Sequence, residues 1–301
     1  MSVLPVDVMD ELVPRRFGSR FPTMMRRLRR SPVGAIGVFI VVLMVFTAVF
    51  APLIAPHDPT KLQLGKRLRP PVWSEKGSWA HPLGTDQLGR DLWSRILVGS
   101  RISVFVGVSS VFIACIIGVL VGLLAGYRGG LVDLLLSRVV DTFLAIPFIV
   151  LALTVVGVLG PSIPNLIVVL SLANWVSYAR VVRAEVLSIK EREYVLAAHM
   201  IGQRGWMIAF RHMLPNVMAS IIVMSTLNVA SAITAESALS FLGLGVQPPT
   251  VTWGGMLADG RQHIATSWWL ATFPGLAITT AVLGIIFLGD WLRDVLDPRL
   301  K

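Results

Sequence analysis

The chain has 301 residues, of which 54% are hydrophobic and only 15% charged, and its mean hydropathy is +0.73. A soluble domain of this length needs more charge to cover its surface, so the composition excludes an ordinary water-soluble protein. The net charge of +10 does not point to nucleic acid, because the basic residues cluster beside apolar blocks as they do on the cytoplasmic flanks of membrane proteins.

Residues 1–32 form a basic N-terminal segment carrying Arg15, Arg16, Arg20, Arg26, Arg27, Arg29 and Arg30. Phe21, Met24, Met25 and Leu28 fall on one helical face with arginines on the other, which suits either a helix lying on the membrane surface or an unstructured basic tail. The segment is too long and polar for the start of a cleaved signal, so Val33–Ile54 reads as an uncleaved signal anchor.

Six apolar stretches follow, at 33–55, 103–126, 134–159, 164–182, 217–240 and 268–289. Each approaches the roughly 20 residues that a helix needs to cross a bilayer. Six crossings put both termini on one side, and the N-terminal arginines place that side in the cytoplasm. The expected fold is therefore an all-α membrane protein with six transmembrane helices. Residues 33–102 supply the first span and a long outer loop, 103–289 a five-helix core with a cytoplasmic loop at 183–216, and 290–301 a cytoplasmic tail. The outer loop is itself rich in lysine and arginine, which opposes this orientation. Its length leaves the N-terminal bias dominant.

Gly118, Gly122 and Gly126 repeat every four residues in the second stretch. Such a stripe lets another helix approach closely, from a partner subunit or from this same chain. Cys115 is the one cysteine. It lies within a span and reads as a small packing residue, so no internal disulfide is possible. Charges inside spans are costly and should pair or line water. Arg138 and Asp141 have the spacing of a pair on one helical face. Asp141 and Glu236 are each candidates for a translocation pathway or for helix pairing. Pro147 and Pro274 are candidate helix breaks. In the outer loop, Asp86, Arg90 and Asp91 with His57 and His81 suit a folded, hydrogen-bonded loop better than a metal or catalytic site. No cofactor is expected, and the ATP-binding P-loop, G-x-S-x-G and H-E-x-x-H patterns are all missing from the sequence.

The stretch Ser188–Asn216 differs from everything around it, being basic and amphipathic between two apolar segments. Two short helices broken at Gly202 and Gly205 are expected, with Ala197-Ala198 offering a surface of little bulk. Glu191 and Glu193 favour a helix N-terminus. Trp206, Ala209, Phe210 and Met213 would pack back on the bundle, and Pro215 would open the next span. The pattern suits docking of a cytosolic partner.

Ala197-Ala198-x-x-x-Gly202 followed by Leu214-Pro215 resembles the EAA loop of ATP-binding-cassette (ABC) importer permeases. The resemblance extends along the chain. His81-Pro82-Leu83-Gly84-Thr85-Asp86-Gln87-Leu88-Gly89-Arg90-Asp91, Ala125-Gly126-Tyr127, Glu236 with Leu239-Ser240-Phe241-Leu242-Gly243, and Gly289-Asp290 with Leu292-Arg293-Asp294 match the dipeptide/oligopeptide/nickel class. Within it, the long N-terminus and six spans are similar to the second, or C, type of permease. The resemblance implies a type I importer fold and half of a pathway for peptides or a related small solute. It also implies a homologous permease partner, two cytosolic ABC ATPases and an extracytoplasmic solute-binding protein, all in the bacterial inner membrane. Tyr194, Leu196, Ala197, Ala198, Gly202, Gly205, Leu214 and Pro215 would then form the ATPase-coupling surface. One departure stands out: Leu196 occupies the position where relatives carry glutamate. The rival from another class is a stand-alone ion-driven secondary transporter, for which inverted repeats and broken helices with midplane charges would be the signature.

Overall fold

The computed structural model describes Leu28 and residues 31–296. The amphipathic reading of Phe21–Met25 and the tail beyond Leu296, with Pro298 and Arg299, lie outside them. Helix α1 (Pro32–Ile54) starts at Ser31, whose hydroxyl accepts from the Gly34 N–H at 3.2 Å, with proline in the first turn. Helix α2 (Leu92–Arg128) begins well before the boundary that hydropathy suggests at 103. Asp91 caps it by accepting from the Ser94 N–H at 2.8 Å, so the polar turns holding Arg95 and Arg101 belong to the helix and not to the loop.

The third span is not one straight helix. It divides into α3 (Gly130–Ala145) and α4 (Phe148–Leu159), which meet at 87°. Pro147 causes the break, because its ring forces Ile146 into extended backbone at φ −84°, ψ 118°. Helix α5 (Ile163–Lys190) runs longer than the 164–182 expected, again because its basic last turns are helical. Then come α6 (Glu193–Met200), α7 (Gly205–Ile208), a single π-turn (Ala209–Met213) and α8 (Leu214–Phe241). A helix absent from the sequence reading, α9 (Trp253–Arg261), precedes α10 (Trp269–Leu296). Pro274 stays within α10.

Among the described residues, five helical runs are long and apolar enough to cross a membrane: α1, α2, α5, the continuous Gly205–Phe241 run and α10. The bent pair α3–α4 is apolar enough as a pair to be the candidate sixth crossing. Asp133 of α3 pairs with Arg183 near the end of α5, while Ala152 and Val156 of α4 pack with Leu166, Val169 and Leu170 near its start. The pair therefore travels the length of α5. The turn at Gly129 and the 191–204 loop lie at one end of the bundle, and the 55–91 and 242–268 loops at the other.

The glycine stripe of α2 faces α5 of the same chain, which decides between the two readings open from sequence. A Cβ on Gly118 would lie 2.3 Å from the Trp175 carbonyl oxygen, and one on Gly122 2.5 Å from that of Ala179. Only glycine lets these backbones approach so closely. Helices α1 and α10 use the same device, with Gly37 against the backbone of Leu288 and Gly284 against Ile40.

The 55–91 loop is tied down by buried carboxylates. Asp86 accepts from the backbone N–H groups of Leu88 and Arg90, each at 2.9 Å, and from Arg90 Nε at 2.6 Å. Arg90 and Arg95 both reach Asp259 on α9, at 3.7 and 3.5 Å. His81 Nδ1 lies 2.9 Å from the Asp91 carboxylate that caps α2, and His57 Nδ1 3.7 Å from it. Trp269 Nε1 donates to the Thr85 carbonyl at 3.3 Å, fixing the loop on the start of α10.

Replacing Gly122 with leucine should force α2 and α5 apart and destabilise the chain by about 1–3 kcal/mol, the usual range for overpacking. Gly157, which meets no atom within 4 Å, is the control. Gly157→Ala should be neutral or slightly stabilising. Thermal unfolding of detergent-solubilised protein reads both.

Candidate functional site

The loop at 191–204 is built by short-range rules. Glu193 sits in the first turn of α6, where negative charge suits the helix N-terminus. The helix stops in a Schellman arrangement. Gly202 N–H donates to His199 C=O at 3.0 Å and Gln203 N–H to Ala198 C=O at 3.1 Å, with Gly202 at φ +74°. A left-handed residue is what this stop requires, and glycine adopts it without strain. Gly202 therefore makes the break expected of it. No atom lies within 4 Å of where its Cβ would be, so its constraint is conformational and not steric.

Gly205 behaves differently from expectation. It opens α7 with an ordinary negative φ, and a Cβ there would lie 2.3 Å from the Tyr127 hydroxyl. Its role is close approach to the α2 terminus and not a second chain reversal. Tyr127 also stacks on His199 of α6, with ring centroids 6.0 Å apart and planes 7° from parallel, and its carbonyl accepts from Lys190 Nζ at 3.0 Å. The ends of α2, α5 and α6 thus converge on one tyrosine. Across the turn, His212 Nε2 and Gln203 Oε1 lie 2.9 Å apart.

Helix α6 is two-faced. Val195 and Ala198 are buried in the main core with Val186, Ile189, Ile208 and Met213. Tyr194 and Leu196 point outward, 41% and 49% exposed, and Met200 is 89% exposed. Ala197 is also exposed. Of the Ala197-Ala198 pair, only the first offers surface, because the helix turns Ala198 inward. Trp206 and Phe210 also depart from expectation. Both are half-exposed or more, while Ile208, Ala209 and Met213 do the inward packing.

Leu214 and Pro215 stand in the first turn of α8, as expected, but no break precedes them. The helix from Gly205 passes through them, and the π-turn accommodates the proline. Leu214 N–H reaches back to Ala209 C=O, so the hydrogen-bond ladder is already widened where the Pro215 N–H is missing. Asn216 Nδ2 donates to His212 C=O at 2.6 Å, occupying another acceptor in this turn.

The remaining candidates separate. Glu236 is fully buried; it accepts from Ser240 Oγ at 2.8 Å and faces Ser103 Oγ at 3.4 Å, and Ser103 in turn accepts from the Trp253 N–H at 3.2 Å. It joins α2, α8 and α9. Asp141 is exposed on α3 and forms no ion pair with Arg138 among the described residues. The ion pair at this level is Asp133–Arg183, with Nη2···Oδ2 at 2.7 Å, between α3 and α5. Sequence reasoning missed it because it is a tertiary contact. Its signal is that both charges lie about a turn or two inside helices flanking the same end.

Comparison with known proteins follows this geometry. Residues 118–301 match the model of the binding-protein-dependent transport system inner membrane component, and residues 19–71 match the N-terminal transmembrane domain of oligopeptide transport permease C. The chain belongs to the binding-protein-dependent transport permeases. It is 45% identical over 265 residues to the di/tripeptide transport system permease protein DppC of Pseudomonas aeruginosa, covering 88% of each chain. It is 40% identical to the dipeptide transport system permease protein DppC of Bacillus subtilis, covering 92% of this chain and 85% of that one. It is 39% identical to the probable D,D-dipeptide transport system permease protein DdpC of Escherichia coli, covering 90% and 89%. The chain is thus a multi-pass permease component of an ABC importer with the type I fold. The secondary-transporter reading has no support.

Gly202→Val should disturb the α6–α7 turn, because a β-branched residue at this φ is strained by roughly 1–2 kcal/mol. Gly202→Asn should be tolerated, since asparagine visits the left-handed region. Limited proteolysis at the loop should be faster in the valine variant and unchanged in the asparagine variant.

Proposed function

We propose that this chain is one of two similar permease halves of an importer for peptides or closely related small solutes. Two cytosolic ABC ATPases would drive it, since the sequence holds no nucleotide-hydrolysing motif. An extracytoplasmic binding protein would deliver the solute, and both termini and the 191–204 loop would face the cytoplasm. The peptide assignment draws on the names of the relatives. The coupling assignment draws on one observation above all: α6 seals one face in the chain's own core and leaves Tyr194, Leu196, Ala197 and Met200 uncovered.

In this reading α6 seats in a groove of the ATPase, and closure of the nucleotide-bound ATPases displaces it. Gly202 sets the angle between α6 and α7, Gly205 keeps α7 against Tyr127, and Leu214 and Pro215 carry the displacement into α8. The bundle then exchanges between inward- and outward-open states. Asp141 belongs to the pathway side, and Glu236 to the packing that the motion bends against. The regions divide as a basic cytoplasmic segment 1–32, a first span with outer loop 33–102, a core 103–289 and a tail 290–301.

The leucine at 196 changes the chemistry of docking. Where the EAA pattern would present a carboxylate to the ATPase, this chain presents a half-exposed apolar side chain. Leu196→Ala should weaken ATPase binding by about 1–2 kcal/mol, the loss expected for truncating a partly buried interface residue. The wild-type complex should dissociate little as salt rises, because exposed ion pairs are what salt screens. Titrating solubilised complex with salt, for wild type and Leu196→Ala, reads both. Steep salt dissociation, or unchanged affinity in the variant, would rule out apolar docking.

Orientation has its own check. With Cys115 replaced by serine, a cysteine at Ser78 should react with an impermeant thiol reagent applied outside intact spheroplasts, and one at Gln203 should not. The opposite pattern would invert the topology.

A further inference from the structure

A cavity of about 680 Å³ opens between α2, α3 and α5, within the size range of small-molecule sites. Its apolar wall includes Val121, Leu136 and Val140, and its polar lining includes Ser137, Asp141, Ser177, Arg180 and Arg183. The charges in it are not equivalent. Arg183 is engaged by Asp133. Asp141 and Arg180 are both exposed and make no ion pair among the described residues.

Their depth is significant. Arg180 lies ten residues before the end of α5 at Lys190, about 15 Å along the helix. Asp141 stands eleven residues into α3, which starts at Gly130, at about the same distance from the Gly129 turn. Beyond each, away from this end, the helices carry no further charge: residues 142–159 and 163–179 hold no Asp, Glu, Lys or Arg. A carboxylate and a guanidinium at the edge of an apolar zone, with no ion pair among the described residues and with Asp141 near enough to Arg183 for its charge to act there, should face water or a charged ligand, because lipid exposure is costly.

We propose that Asp141 and Arg180 form a charge-recognising site at the inner mouth of the pathway, specific for solutes that carry an ammonium and a carboxylate together. Asp141 receives the free amino terminus of a short peptide and Arg180 its free carboxyl terminus, while the apolar wall meets side chains without selecting among them. Charge-assisted hydrogen bonds of this kind discriminate strongly against a ligand lacking either group. The inference rests on the peptide reading above and adds to it the chemistry that the membrane part itself requires.

The test uses the complete importer, with this chain, its permease partner, the ATPases and the binding protein, reconstituted in proteoliposomes and supplied with labelled L-alanyl-L-alanine. Wild-type uptake tests the peptide reading; its absence overturns that reading and this proposal with it. Given wild-type uptake, Asp141→Asn and Arg180→Gln should each lower dialanine moved per ATP hydrolysed by about tenfold, the lower end for losing a charged hydrogen bond. Arg138→Gln, on α3 but outside the cavity, should leave the ratio unchanged. In a Cys115→Ser background, Ser177→Cys, which lines the same cavity and leaves both charges in place, should react with an aqueous thiol reagent in ATP-free complex, and dialanine should slow the reaction. Labelling without protection, together with unchanged uptake ratios, overturns the recognition site and leaves the peptide reading intact. No labelling at all shows the cavity covered by a neighbouring subunit and also overturns the site.

Discussion

The contact between α2 and α5 is the constraint on which the rest of the bundle depends. Gly118, Gly122 and Gly126 remove three successive side chains from one face of α2, and α5 lays the backbone of Trp175–Val186 against the gap. In lipid, no hydrophobic effect holds helices together, and close van der Waals packing has to substitute for it. Once these two helices are fixed at this separation, Tyr127 at the end of α2 and Lys190 at the end of α5 are neighbours. That juxtaposition creates the shelf on which α6 and α7 are laid. The bent pair α3–α4 is placed by the same helix, through Arg183 at one end and Leu166–Leu170 at the other.

The two ends of the molecule are stabilised by different physics. At the 191–204 end, apolar packing and backbone caps dominate, leaving an exposed ridge of Tyr194, Leu196 and Met200. At the opposite end, ion pairs dominate: the buried Asp86, Arg90 and Arg95 join the partly exposed Asp259 in a cluster that clamps the long loop onto α9. A clamp of that kind tolerates no missing partner, because removing one member leaves uncompensated buried charge. The long loop is thus held by ion pairs and hydrogen bonds, and the 191–204 end by packing, backbone caps and the Lys190–Tyr127 and His212–Gln203 contacts.

The existence of the spans was legible from hydropathy, and the Gly202 stop from the spacing of one small motif. What the sequence hid was long-range. The true starts and ends of α2 and α5 were obscured because Arg95, Arg101, Arg183 and Lys190 lie on helical turns that continue past the apolar zone. Hydropathy reads such turns as loop. Gly205 looked like a second hinge until Tyr127, distant in sequence, was seen filling the space where its Cβ would stand. Arg138 and Asp141 had the local spacing of a pair, but the observed ion pair joins Asp133 to Arg183 across two helices. Local periodicity gives the face of a residue; it does not give the neighbour that face will meet. Glu236 reads from sequence more as a helix–helix hydrogen-bonding group than as a pathway one, and in the fold it is buried beside Ser103 and Ser240.

The π-turn at Ala209–Met213 links these observations into one mechanical argument. Pro215 cannot donate to the ladder, and in an unmodified α-helix it would leave an acceptor free and invite a hinge. Here Leu214 N–H reaches Ala209 C=O, and Asn216 satisfies His212 C=O. The helix remains one rod from Gly205 to Phe241. That rod begins at Tyr127 and carries Glu236 in its last turns, where Ser103 and the N-terminus of α9 meet it. The continuous run from Gly205 thus joins the Gly202 turn at one end of the bundle to the buried Glu236 junction at the other, with the missing Pro215 donor absorbed inside it.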